Sequence, residues 1–194
     1  MIRAHGLSRR FGAKRVIEGL DLDLERGDFL VVTGANGSGK TTLLRLCAGL
    51  LAPTAGELRV ETGRAGIGFL AHEPLLYREL TALENLDLYG RLYRIPEHRE
   101  RSGMLLERFG LWRVRNERTG SFSRGMVQRL ALCRTLLHEP ELLLLDEPFN
   151  ALDAEGTELL AGELEELRPG RTFLVATHDP ARLAGLASGS LALA

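Results

Sequence analysis

Lysine is almost missing from this chain. Of 25 basic residues only Lys14 and Lys40 are lysines, and the rest are arginine. That imbalance fits genome composition or heat adaptation, but it leaves Lys40 conspicuous, because it stands inside a run of glycines. Cysteine is as scarce. Cys47 and Cys133 are far apart, both inside apolar helical patterns, which excludes the spacing of a metal site or a disulfide framework. Both are expected to be small buried thiols in a reducing cytosol. An excess of one charge is also missing. The formal net charge is −1, which excludes a broad nucleic-acid footprint, so no nucleic-acid partner is expected. No signal peptide opens the chain and no apolar run approaches the ~20 residues of a membrane span. Work at a membrane would therefore need another chain to cross it. With 194 residues, the chain is about one domain long and buries roughly 70% of its unfolded surface without staples.

What is present begins with TGANGSGKTT, residues 33–42. It follows FLVV (29–32), a buried-strand pattern, and precedes TTLLRLCAGLL, apolar at 43, 44, 46, 47, 50 and 51 and stopped by Gly49 and Pro53. A glycine loop between a strand end and a helix start is the setting of a phosphate-binding P-loop. Its glycines let successive backbone N–H groups turn toward one point, and the helix N-terminus adds its positive end. Lys40 is placed to reach the β- and γ-phosphates of a nucleoside triphosphate, and the Thr41 hydroxyl to ligate Mg2+.

ELLLLDEP (141–148) supplies the second half of such a site. Four leucines in a row fit a strand buried on both faces of a parallel sheet, with the chain leaving at the carboxyl end where α/β folds bind ligands. Asp146 would hold the Mg2+ hydration shell, and Glu147 would orient or deprotonate an attacking water. SFSRGMVQRLALCRTLL (121–137) reads as a helix capped by Ser123, its apolar face running through 127, 130, 131 and 134 to 137. NALD (150–153) and, after the strand pattern TFLVA, the turn THD with His178 complete the set.

With these motifs in order, the chain from about residue 2 to 180 resembles the ATP-binding subunit of an ABC transporter. The resemblance implies an α/β P-loop NTPase fold. It would have a mostly parallel core sheet, an antiparallel N-terminal β subdomain and an inserted helical subdomain. As one domain over 1–194, the core would be 1–72 and 121–194 and the helices 73–120. It also implies roles. Phe11 matches the aromatic that stacks on adenine, and Asn36, Gly37, Ser38, Gly39, Lys40, Thr41 and Thr42 the loop that holds ATP. Thr41 and Asp146 would serve Mg2+, and Glu147 and His178 the catalysis. Ser123 and Gly125 match the signature that acts on ATP held by a second ATPase subunit in a head-to-tail dimer. Asp153 belongs to the D-loop. The implied partner is an integral membrane permease, and the implied address the cytoplasmic face of the inner membrane.

Two departures stand out. The signature reads Phe-Ser-Arg-Gly-Met where Leu-Ser-Gly-Gly-Gln is commonest; Arg124 could lean over the phosphate, but is expected to face water. The slot usually held by glutamine is His72, followed by Glu73, in GFLAHEP (68–74). A neutral imidazole can serve a cation or a water there, whereas an imidazolium would repel Mg2+, so activity is expected to fall as His72 protonates. Between the halves, Thr81 and Glu84 form a capping-box pattern, with apolar positions 83, 86, 89 and 93 behind it. PEHRERSGMLLERFGLWRVRNERT (96–119) reads as a second helix, with Trp112 in the core. A docking groove for the permease is expected near 73–77, and no regulatory domain after GSLALA. GFLAHEPLLYRELTALENLDLYGRLY is similar to the haem-exporter ATPases of cytochrome c maturation. Other small exporters, for lipid, drug or ion, remain open beside it, as do an importer and a soluble non-transport ATPase.

Overall fold

In chain order, the computed structural model, which describes residues 1–193, begins with strands β1 (Ile2–Phe11), β2 (Lys14–Leu24) and β3 (Phe29–Gly34). Helix α1 (Lys40–Cys47), strands β4 (Ala55–Val60) and β5 (Ile67–Leu70), and helices α2 (Ala82–Leu92), α3 (His98–Arg108) and α4 (Arg124–Leu136) follow. The chain continues with β6 (Leu142–Asp146), α5 (Ala154–Leu167), β7 (Thr172–Ala176) and β8 (Gly189–Leu193). Two sheets result. One is antiparallel, in the order β2-β1-β4; the other has the order β5-β6-β7-β3-β8 and is parallel at every pairing.

Period-two alternation in the parallel sheet divides the core. Leu142 and Leu144 of β6 pack with α1 and the antiparallel sheet, while Leu143 and Leu145 pack on the other face with α2, α3, α4 and α5. All five residues of β6 are buried, as a leucine run between two parallel neighbours requires. Cys47 sits in one layer and Cys133 in the other. Burial pushes the Cys47 thiol up to about 12 and the Cys133 thiol well above its ordinary range, so both stay protonated and unreactive.

The helix starts follow their capping signals. Thr81 Oγ1 accepts from Glu84 N at 3.2 Å while Thr81 N donates to Glu84 Oε2 at 2.8 Å, and Ser123 Oγ accepts from Met126 N at 3.2 Å. Three expectations need correction. The second inserted helix stops at Arg108 instead of running to 119, because Gly110 takes φ 68 and closes the helix end. Trp112, on the short 3₁₀ turn beyond, is 38% exposed with the Arg115 guanidinium 4.0 Å from its ring, so it is not core. The stripe of α4 is not wholly apolar. Arg134 and Thr135 are buried in it, and Arg134 donates to Phe69 O at 2.8 Å and lies 5.3 Å from the Tyr89 ring centre. No described helix is long and apolar enough to cross a membrane.

Candidate nucleotide site

Strand register assembles the site. β5, β6, β7 and β3 run parallel with Leu70 opposite Leu145, Asp146 opposite Ala176, and Val32 opposite Ala176. Residues one or two positions past those pairs therefore gather at one sheet edge: His72 after β5, Asp146 and Glu147 at the end of β6, His178 after β7, and the glycine loop after β3. Four segments distant in sequence meet because parallel strands share their carboxyl ends.

Within the loop, Gly34 has φ 145, and a Cβ there would lie 2.4 Å from Leu193 O and 2.5 Å from Ser38 Oγ. Gly39, at φ 105, occupies the N-cap of α1 without a side-chain cap, leaving the first N–H groups of the helix for an anion. Lys40 folds back over the loop, Nζ donating to Gly34 O at 2.7 Å and Ala35 O at 3.1 Å. Asn36 and Gly37 are exposed, Ser38, Thr41 and Thr42 half-buried.

Thr41 Oγ1 donates to Asp146 Oδ2 at 2.7 Å, joining the helix to β6. Burial raises the Asp146 carboxyl above its ordinary 3.8. The Thr41 hydroxyl, the nearby His72 ring and Arg45 act the other way, and Glu147 adds to the rise. His72 lines the same cavity as the buried carboxylate, its side chain exposed. Glu147 sits at φ 50, its N–H donating to Ala176 O at 2.9 Å. Its carboxylate accepts from His178 Nδ1–H at 2.8 Å and is largely buried, while His178 is exposed.

Other expected residues stay outside this group. No hydrogen bond or ion pair among the described residues joins Ser123, Gly125 or Asp153 to the glycine loop. Asp153 caps α5, Oδ1 accepting from Gly156 N at 2.8 Å. Gly125 lies against the D-loop, where an added Cβ would meet Ala151 O at 3.0 Å. A cavity of ≈1100 Å³ opens between the two groups, lined by His72, Glu73, Arg124, Gln128, Asp146 and Glu147 among others. Arg124 is exposed.

Sequence reasoning passed over two residues that shape this region. Gln128, off the stripe of α4, donates from Nε2 to Pro148 O at 2.9 Å, tying the signature helix to the turn after Glu147. Asn85, fully buried, accepts from Tyr77 N at 2.8 Å and donates to Tyr77 O and Thr81 O at 3.0 Å, fixing the loop beyond His72. A polar residue flanked by the apolar positions of α2 was the signal for the second. Nothing in the pattern marked the first.

The family described as ABC transporter matches residues 17–150. The chain belongs to that family. Its relatives include the cytochrome c biogenesis ATP-binding export protein CcmA of Cupriavidus necator, 39% identical over 188 residues, 92% of this chain and 83% of that protein. They also include the aliphatic sulfonates import ATP-binding protein SsuB 1 of Pseudomonas syringae pv. tomato, 44% identical over 153 residues. That match covers 79% of this chain but only 54% of SsuB 1, so the chain spans about half that importer's length. Among solved structures, the ATP-binding cassette MJ0796, a dimer in a post-hydrolysis state bound to ADP and Pi, aligns with TM-score 0.90 and 29% identity. The alignment covers 100% of this chain and 94% of that one. The ABC subunit described here is accordingly an ATP-binding protein and an ATPase, with the P-loop, Asp146 and Glu147 inside the matched span. Phe11 and His178 lie outside residues 17–150.

Proposed function

We propose that this cassette drives transport through a separate integral membrane permease, as one of two ATPase subunits arranged head to tail at the cytoplasmic face of the inner membrane. The observation that carries the reading is the division of the site. Lys40, Thr41, Asp146, Glu147 and His178 share one sheet edge, whereas Ser123 and Gly125 form no bond to the loop. A second copy would bring its signature to this loop and complete a closed site. Residues 36–42 would hold the triphosphate and Phe11 the adenine. Glu147 would take a proton from, or orient, the water attacking the γ-phosphorus, with His178 holding the carboxylate in place.

The donor set fits Mg2+. A buried carboxylate and a hydroxyl 2.7 Å apart supply hard oxygen ligands, and a magnesium site needs one or two carboxylates with substrate phosphates rather than a full protein cage. Mg2+ would supply charge neutralisation between the β- and γ-phosphates; Thr41 and Asp146 would hold it. His72 stands beside them. His72→Gln should retain activity, while His72→Ala should lower kcat about 10–100-fold, as loss of a group supporting a metal ligand does. Steady-state phosphate release checks both, and an unaffected alanine variant removes His72 from the mechanism.

For the cargo we propose haem export in cytochrome c maturation, supported by the similarity of the segment 68–93 to that subfamily and by coverage of most of the C. necator protein. A different small exporter is the second reading, favoured by Glu73, since the haem-exporter ATPases that this segment resembles normally carry a histidine in this slot followed by glutamine. Purifying the tagged subunit from its own membranes tests the choice. Small multi-span partners that handle haem are expected. A permease of another type assigns the cargo to that partner, and recovery with ribosomes or DNA, lost steeply in salt, rejects transport.

A further inference from the structure

We infer that Arg9 is a positioning residue for the nucleotide's base, backing one face of Phe11 so that the other becomes a fixed stacking platform for a purine. The inference rests on the proposed reading that Phe11 receives the base. Phe11 ends β1 opposite Lys14, is 46% exposed, and belongs to neither core layer. Apolar packing therefore does not hold its ring. Arg9 does: its guanidinium carbon lies 4.5 Å from the ring centroid, within the range of cation–π attraction.

Arg9 is itself anchored, Nη1 donating to Ala52 O at 2.8 Å in the connection between α1 and β4. It forms no ion pair among the described residues, although Arg3, Arg15 and Arg26 in the same sheet and its connections all meet carboxylates. Its Nε is buried with no partner. The guanidinium is thus held over an aromatic ring instead of being neutralised by an acid. The stretch of β2 that pairs with Arg9 and Phe11 borders the triphosphate loop. A Cβ at Gly39 would come within 2.9 Å of Val16 O and 3.3 Å of Ile17 Cγ1, and Ile17 pairs with Arg9 as Lys14 does with Phe11. A base joined through its ribose to phosphates in that loop would then meet the free face of Phe11. Stacking tolerates any base, since each has a π-face, so the platform should serve ATP and GTP alike.

Calorimetric titration of the intact subunit with ATP, GTP and base-free tripolyphosphate tests the assignment. Phe11→Ala should weaken both nucleotides about 5- to 100-fold, and Arg9→Gln about two- to fivefold, with Arg9→Lys in between. The double variant should lose no more than Phe11→Ala alone, because Arg9 acts through that ring. Tripolyphosphate affinity should stay at the parent value throughout. If Phe11→Ala weakens ATP but Arg9→Gln does not, the role of Arg9 is overturned while the stacking reading stands. If Phe11→Ala has no effect, the stacking reading falls and takes this one with it. Equal weakening of tripolyphosphate by Arg9→Gln would overturn the inference, showing that Arg9 acts on the phosphates.

Discussion

Glu147→Gln should reduce ATP hydrolysis about 10²–10⁴-fold, the usual contribution of a positioned general base, while ATP still binds. The geometry separates the two effects. The glutamine side chain has the same size, and its carbonyl oxygen can keep accepting from His178 Nδ1–H, now 2.8 Å from the carboxylate. The Glu147 N–H to Ala176 O bond that fixes the turn is also untouched. What disappears is a negative charge and the proton acceptor proposed for the attacking water. Both kcat and kcat/KM should therefore fall together, as for an interaction made only in the transition state. Unhydrolysed ATP would then hold two subunits together, so size exclusion with ATP and Mg2+ should show a species of twice the monomer mass. Phosphate release and that elution profile check the prediction. A rate within threefold of the parent would move the base to His178 or His72.

Much of this site was legible because its motifs lie at strand ends. A glycine loop after FLVV and two acids after LLLL announce their position through local pattern, since apolar runs in parallel sheets end where ligands bind. The capping residues Thr81 and Ser123 were legible for the same reason, their hydrogen bonds reaching only three residues along the chain. Interactions between distant segments were not. The Gln128 to Pro148 bond and the cation–π contact of Arg9 depend on how segments approach in space, and no periodicity encodes that.

The errors have the same origin. Apolar residues continue past Arg108, which suggested a longer helix, but Gly110 at φ 68 overrides the pattern and turns the chain. Trp112 then falls on a surface turn, where Arg115 covers it instead of the core. Arg134 shows the converse. A cation at a stripe position of α4 stays buried because Phe69 O and the Tyr89 ring receive it, and burial disfavours its charge.

Asp146→Asn should abolish hydrolysis and yet stabilise the nucleotide-free protein. Asp146 is 3% exposed, and burial holds its carboxyl above the ordinary 3.8, with neighbouring Glu147 adding to the rise. A carboxyl that binds its proton more tightly when folded makes ionisation a cost to folding. The cost is absent below the ordinary value, grows as pH rises toward the folded-state value, and is complete above it. Above that value the wild-type subunit bears it in full. Asparagine removes the charge and keeps an oxygen to accept from Thr41 Oγ1, so the link between α1 and β6 survives. Thermal unfolding without nucleotide should show a higher Tm for the variant, by about 2–4 °C per kcal/mol released in a chain of this size. The gain should shrink as pH falls toward the ordinary carboxylate range. Added Mg-ATP should reverse the order. The wild type gains stability with the logarithm of free ligand over its Kd, while the variant, lacking the anionic oxygen proposed for the cation, gains less. A variant less stable than wild type in both conditions would mean that the charge of Asp146 serves the fold and not only the nucleotide. The expected crossing would instead mark Asp146 as a group kept charged at a cost to folding because the cation of the substrate complex offsets that cost.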